Sequence, residues 1–360
     1  MSGPLPALLA PVTVPASLLY GLAVRARNAR FDRGLSVVNV TVPVISVGNV
    51  TVGGTGKTPM VTWVARRLLD AGMRPVIAMR GYGARPGRGD EGDEGDEADQ
   101  GDEVMEHRLR LGDVPVVADP DRVAALRSFL PEHAGIDCVV LDDGFQHRRL
   151  GRDLDLVLID ATRDTMHDRL LPRGWLREPL DSLERADAVI VTRARGIDDR
   201  LASAIERRHG RPPLAWSRHA WTGLALFDRR SEPDEVPVDW LDGKRIVTLL
   251  GVGNRAPVRD QIEATGAVVV ADVPARDHER YDRAKITLVR SLCDGVDALV
   301  MTAKDWVKAR RLIDLESWPV PIVVPQLEID VFEGAGALGT MIVDAARAAN
   351  RGSVVDAQAH

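Results

Sequence analysis

Residues 41–58 constrain this chain more than any other part of it. Residues 41–47 (TVPVISV) are apolar and β-branched, as a buried strand is. Gly53-Gly54-Thr55-Gly56-Lys57-Thr58 follows, and then Val61, Val64, Ala65, Leu68 and Leu69 recur at helical spacing as far as Gly72. A strand that runs through a glycine-rich loop straight into a helix is a phosphate loop. Bare glycine lets backbone N–H groups approach phosphate oxygens. Lys57 reaches the β- and γ-phosphates, the Thr58 hydroxyl suits Mg2+, and the helix N-terminus favours negative charge. Gly53, Gly54, Thr55, Gly56, Lys57 and Thr58 are therefore the expected nucleotide-binding residues. The general pattern GxxxxGK[ST] would put glycine at position 51, where this chain has Thr51.

Such a loop needs an acid at a strand end to hold the metal. Cys138-Val139-Val140-Leu141-Asp142-Asp143 is an apolar strand that ends in two carboxylates, so Asp142 and Asp143 are the expected metal acids. Gly144-Phe145-Gln146-His147-Arg148-Arg149 comes directly after them, which makes Gln146 and His147 candidate site residues. In Leu176-Arg177-Glu178-Pro179-Leu180, Arg177 and Glu178 either pair with each other or hold phosphate and metal.

Further apolar runs at 74–79, 114–118, 137–141, 154–159 and 188–192 alternate with helical patterns, including one near 120–130. This alternation predicts an α/β fold with a mostly parallel sheet of the P-loop type, covered on both faces. A second series begins at 245 and includes 267–271, 298–302 and 321–324, with a closing helix near 337–350. With 360 residues, two domains are expected at roughly 150 residues each. The expected layout is an N-terminal segment 1–34 and a P-loop domain 35–215. A linker or small antiparallel addition at 216–243, a smaller α/β domain at 244–350 and a tail at 351–360 complete it.

The formal net charge of −6 misleads, because nine of the 53 acids lie between Asp90 and Glu103. Setting those nine aside leaves 44 acids against 47 bases, a mildly basic folded part. Residues 85–101 hold almost nothing apolar and read as a solvated, disordered insert. Fifteen aromatic residues and no dense basic run argue against a nucleic-acid binder. Cys138 and Cys293 both lie in apolar surroundings and read as buried reduced thiols. Residues 1–24 are uncharged and rich in leucine and valine, but Pro4, Pro6, Pro11 and Pro15 interrupt them. A spanning helix needs about 20 unbroken apolar residues. A helix over 15–30 is expected instead, with Leu18, Leu19, Leu22 and Tyr20 on its apolar face and Arg25, Arg27, Arg30 and Arg33 following. A monotopic membrane-surface anchor and a helix docked on its own domain both fit these residues.

Four motifs together resemble the tetraacyldisaccharide 4′-kinases, the lipid A kinases of Gram-negative bacteria. They are residues 46–59 (SVGNVTVGGTGKTP), Arg80-Gly81-Tyr82-Gly83, residues 142–147 (DDGFQH) and residues 176–180 (LREPL). The resemblance runs from about Leu18 to Ala349, and Thr51 matches the family's own variant of the loop. It implies ATP and Mg2+ as cofactors and transfer of the γ-phosphate to the 4′-hydroxyl of a tetraacyldisaccharide 1-phosphate, giving lipid IVA. It also implies a peripheral enzyme on the cytoplasmic face of the inner membrane, anchored by its N-terminal segment, with a lipid substrate and no obligate protein partner. The family's base, an aspartate in Gly-Asp-Glu, falls on Asp102. Gly92-Asp93-Glu94 and Gly95-Asp96-Glu97 also fit, but ordered sequence resumes directly after Asp102. The family's proline after the glutamate is Val104 here. The assisting histidine falls on His278 in Asp277-His278, the two meeting only when the domains close. Lys57 completes the catalytic set, and Glu178 becomes a second metal or substrate carboxylate. The alternative is a membrane-associated P-loop switch or partitioning ATPase. Such ATPases carry a lysine ahead of the paired glycines, where this chain has Val52.

Overall fold

The computed structural model describes residues 9–81, 102–229, 232–252, 255–276, 279 and 281–356. The acidic insert expected at 85–101 and the end of the tail lie outside them. The chain forms two compact units. One comprises everything up to Arg218 together with everything from Ile329 onward, and the other is His219–Glu328.

The first unit opens with helix α1 (Ala10–Asp32), which begins earlier than the expected 15–30 and keeps Pro15 inside it. It continues with β1 (Val44–Asn49), α2 (Lys57–Asp70), β2 (Pro75–Met79), α3 (Asp102–Leu111), β3 (Val116–Ala118), α4 (Arg122–Glu132) and β4 (Cys138–Asp142). Then come β5 (Leu154–Asp160), β6 (Ala188–Thr192), α5 (Asp199–His209) and the start of β7 (Ala215–Phe227). The strand order is β3–β2–β4–β1–β5–β6–β7, and every neighbouring pair is parallel. Every residue of β1, β2, β4, β5 and β6 is buried. Apolar runs of that kind suit a sheet covered on both faces, as expected.

Because these strands are parallel, their C-terminal ends lie along one edge: Asn49, Asp142, Asp160 and Thr192. β1 lies between β4 and β5, where the strand order reverses, and in open α/β sheets that point is where ligands bind.

β12 (Ile322–Glu333) re-enters this unit at Ile329 and leads into α9 (Ala335–Asp356). Leu338, Ile342 and Ala346 recur every four residues and share one core with Ile45, Met60, Val64 and Leu156. The closing helix thus packs on the first unit, not within the expected 244–350 series. Its apolar stripe is what completes the cover beside α2.

The second unit holds the rest of β7, β8 (Asp234–Val236), β9 (Arg245–Leu250), α6 (Ala256–Ala264), β10 (Val268–Pro274), α7 (Arg283–Leu292), β11 (Ala298–Met301), α8 (Ala303–Ala309) and the start of β12. β10, β9, β11 and β12 are neighbours in that order, all parallel. β8 pairs antiparallel with β7, so much of the expected linker is strand. In Thr302-Ala303-Lys304-Asp305 the fully buried Asp305 carboxylate accepts from Gly251 N at 3.0 Å and from the Tyr281 hydroxyl at 2.6 Å. That is a structural role. Burial, with Asp137 and Asp294 adding to it, pushes the Cys138 and Cys293 thiols up to about 12 and about 11.

Candidate active site

At the end of β1 the backbone crosses directly over the 144–147 turn. A side chain at Gly48 would meet Phe145 N and Cβ at 2.6 Å, so only glycine allows this approach. Gly56 stands ahead of α2 with φ 83°, in the left-handed region that glycine adopts without strain. Side chains from neighbouring strand ends take the carbonyls of the loop. Arg163 Nη1 donates to Val52 O at 3.0 Å, Arg193 Nη1 to Gly54 O at 2.9 Å and Thr192 Oγ1 to Thr55 O at 2.9 Å. Asn49 Nδ2 donates to the buried Thr55 Oγ1 at 2.9 Å. These bonds hold three of the loop carbonyls, an arrangement in which the glycine amides can receive an anion. Arg193 also pairs with the buried Asp160 at 2.8 Å. Position 51 sits in a β-bridge with Leu176, where an ordinary residue fits, which accounts for Thr51 in place of glycine.

Lys57 opens α2 directly behind the loop, and its Nζ stands 3.5 Å from Asp143 Oδ1. Arg177 Nη1 donates to Asp143 Oδ2 at 2.7 Å and to Gln146 Oε1 at 3.2 Å. Gln146 Nε2 in turn donates to Asn49 O at 2.8 Å. Lys57, Asp143, Gln146 and Arg177, four of the expected residues, therefore meet at the end of β1. Asp143 has φ 52°, uncommon outside glycine and a sign of a held conformation. Burial pushes its carboxyl up, but Lys57 and Arg177 pull harder and hold it below the usual carboxylate range.

Asp142 has other partners. Its Oδ2 lies 2.9 Å from Nε2 of His107, a fully buried residue on α3, and Arg122 Nη1 donates to its main-chain oxygen at 3.4 Å. His147 is partly buried. Burial, joined by Arg122 and Arg152, brings its imidazole down to about 4, so it is neutral at pH 7, and its Nε2 makes no hydrogen bond.

Glu178 departs from expectation. It is completely buried, with Arg27 at 3.3 Å from Oε1 and both Arg185 and Asn28 at 2.9 Å from Oε2. Engaged on both oxygens by Arg27, Asn28 and Arg185, this carboxylate seats α1. Alternation along the backbone separates it from Arg177: one side chain enters the Asp143 cluster and the next turns under α1. Tyr20 was expected on the apolar face of α1, but its hydroxyl donates inward to Arg177 O at 2.8 Å. Thr13, Ser17, Val24 and Asn28 are buried against the unit, while Val12, Leu18, Leu19 and Leu22 are 60–68% exposed. The helix is docked and still presents an apolar outer face.

Asp102 opens α3, and its side chain lies outside the described residues, as do Asp277 and His278. Sequence reasoning missed Asp160, Thr192, Arg193 and His107. The first three were visible as polar residues at the ends of two apolar runs.

The residues present fit Mg2+. Asp143 Oδ1 is a buried acceptor with no hydrogen-bond partner, and the Thr58 hydroxyl begins the same helix as Lys57. Among the described residues no three His, Cys, Asp or Glu converge. Mg2+ keeps waters and substrate phosphates and needs only one or two carboxylates. Beside the loop, a cleft of about 790 Å³ is lined by Thr162, Arg193, Arg195, Asp198 and Trp216 among others.

The family model for tetraacyldisaccharide-1-P 4′-kinase, LpxK, matches residues 9–345. The chain belongs to this family. A tetraacyldisaccharide 4′-kinase of Geobacter sulfurreducens is 38% identical over 309 residues, covering 82% of this chain and 83% of that protein. One from Syntrophus aciditrophicus is 36% identical over 341 residues, covering 88% and 87%. The crystal structure of the family member LpxK from Aquifex aeolicus in complex with ATP superposes with a TM-score of 0.67 at 29% identity, over 92% of this chain and 98% of that one. The α/β fold and the P-loop expected from the sequence are those of the family.

Proposed function

We propose that this chain transfers the γ-phosphate of ATP to the 4′-hydroxyl of a tetraacyldisaccharide 1-phosphate, giving lipid IVA in lipid A biosynthesis. One observation carries this reading: Lys57 and Arg177 flank the single carboxylate of Asp143 at the mouth of the Gly53–Gly56 loop. Two cations at that point meet a polyphosphate, and Arg177 adds a donor fork that fits a phosphoryl group. Relatives that match over most of the chain carry the name of this activity.

In this reading the loop amides and Lys57 bind the phosphates, and the cleft beside Arg193 receives the nucleoside. Thr58, Asp143 and Asp142 would hold Mg2+, which when bound neutralises charge on the β- and γ-phosphates. Asp102 takes the proton of the sugar hydroxyl and His278 assists it, as the resemblance implies. Gln146 ties Arg177 to the end of β1, and His147 stays neutral beside it.

The exposed Val12, Leu18, Leu19 and Leu22 support contact with a membrane surface, where a lipid substrate resides. Among the described residues no helix is long and apolar enough to cross a membrane. The exposed face supports a peripheral enzyme, and the family resemblance implies the cytoplasmic face of the inner membrane. The test is ADP release by the full-length protein with ATP, Mg2+ and detergent. Release should depend on added tetraacyldisaccharide 1-phosphate. Equal release with and without the lipid would contradict a kinase and favour a switch.

A further inference from the structure

Val104, His107 and Leu111 follow one another at i, i+3 and i+7 along α3 and so share one face. Val104 and His107 are buried on it. An imidazole in that position gives no packing that leucine would not, and it brings a polar edge into the core. Its Nδ1 is buried with no hydrogen-bond partner, while Nε2 lies 2.9 Å from Asp142 Oδ2. A carboxylate at Nε2 and nothing at Nδ1 assign the proton to Nε2, which donates to Asp142. Burying one orphan nitrogen is unfavourable. The other nitrogen, and what it holds, is the reason for a histidine here.

We propose that His107 is a positioning residue for phosphoryl transfer. It fixes the Asp142 carboxylate through Oδ2, leaving Oδ1 to serve the cation or its water, and it ties α3, the helix that Asp102 opens, to the end of β4. A strand-end carboxylate otherwise turns about its own Cβ–Cγ bond, and a buried donor on one oxygen removes that freedom. Arg122 holds the main-chain oxygen of the same residue, so Asp142 is fixed at both ends. The proposal rests on Asp142 belonging to the phosphoryl-transfer site.

The test uses the full-length protein and four variants. His107→Leu keeps the volume and removes the donor. His107→Gln returns an amide near the Nε2 position, and His107→Asn returns one near Nδ1. Asp142→Asn tests the site itself. The readouts are kcat, KM for ATP, and Mn2+ affinity by electron paramagnetic resonance with the β,γ-imido analogue of ATP bound. His107→Leu should lower kcat and Mn2+ affinity by about 10–100-fold, the usual scale for a group that orients a metal ligand, with KM for ATP unchanged. His107→Gln should recover most of both, and His107→Asn should not. Added to Asp142→Asn, His107→Leu should cost little more, because both remove one interaction. Wild-type kcat and Mn2+ affinity in His107→Leu, with Asp142→Asn impaired, would overturn the role of His107 alone. Equal rescue by asparagine and glutamine would reduce His107 to a structural residue and overturn it too. Wild-type behaviour in Asp142→Asn would overturn the site assignment with it.

Discussion

Arg177 Nη1 lies 2.7 Å from Asp143 Oδ2, and the other oxygen of that carboxylate faces Lys57. One aspartate therefore sets the spacing of two cations at the loop. Lys57→Ala should abolish phosphoryl transfer and leave the fold intact. Asp143→Asn should lower kcat by about 10²-fold or more, since it frees both cations from their register. Circular dichroism and label transfer check both. Full activity in Lys57→Ala would overturn the P-loop assignment.

His147 gives a pH signature. Its imidazole titrates at about 4 in the folded protein against an ordinary 6.5. Between these values the unfolded chain binds the proton and the folded one does not, so unfolding gains from acidification. The stability His147 contributes is complete above about 6.5, is lost as the pH falls toward 4, and changes no further below that. Asp143, also depressed, acts in the same direction at lower pH. Urea midpoints from pH 7 to 4 should fall more steeply for wild type than for His147→Gln. Parallel profiles would show that the imidazole is not held neutral.

Two faces of α1 make separable predictions. Glu178→Ala leaves the Arg185 guanidinium buried without its carboxylate and should destabilise by roughly 3–5 kcal/mol. Leu18→Ser, Leu19→Ser and Leu22→Ser together should leave the melting temperature nearly unchanged, because these side chains are exposed. The same triple variant should lose binding to anionic lipid vesicles in flotation. Undiminished flotation would remove the membrane role of this face.

Asp102→Ala should lower turnover strongly with little change in nucleotide affinity, and deletion of residues 90–99 should leave turnover largely intact. If Asp93→Ala behaves as expected of Asp102→Ala, the base lies earlier in the acidic repeat.

The apolar runs at 154–159 and 188–192 were legible as strands because a strand buried on both faces is an unbroken apolar run. That Lys57, Asp143, Gln146 and Arg177 would meet in one candidate site was legible because parallel strands bring their C-terminal ends to one edge. Thr222 and Gly223 lie in a stretch of mixed polarity, so no period announced thirteen residues of β7. Ile329, eight residues past Pro321, continues β12 into the other unit, and no local signal reports a long-range return. Glu178 read as a metal acid from its motif. Only the fold shows Asn28, 150 residues earlier, donating to it. His107 carried no motif at all, and its meaning depends on where β4 ends.

The most direct measurement is transfer of γ-labelled phosphate from ATP to tetraacyldisaccharide 1-phosphate by the full-length protein in detergent with Mg2+, with the labelled position read on the product and Lys57→Ala as control. Label on the 4′-oxygen, absent in Lys57→Ala, is the expected result. ATP hydrolysis by folded protein with no label in a verified lipid, or label that persists in Lys57→Ala, would contradict it.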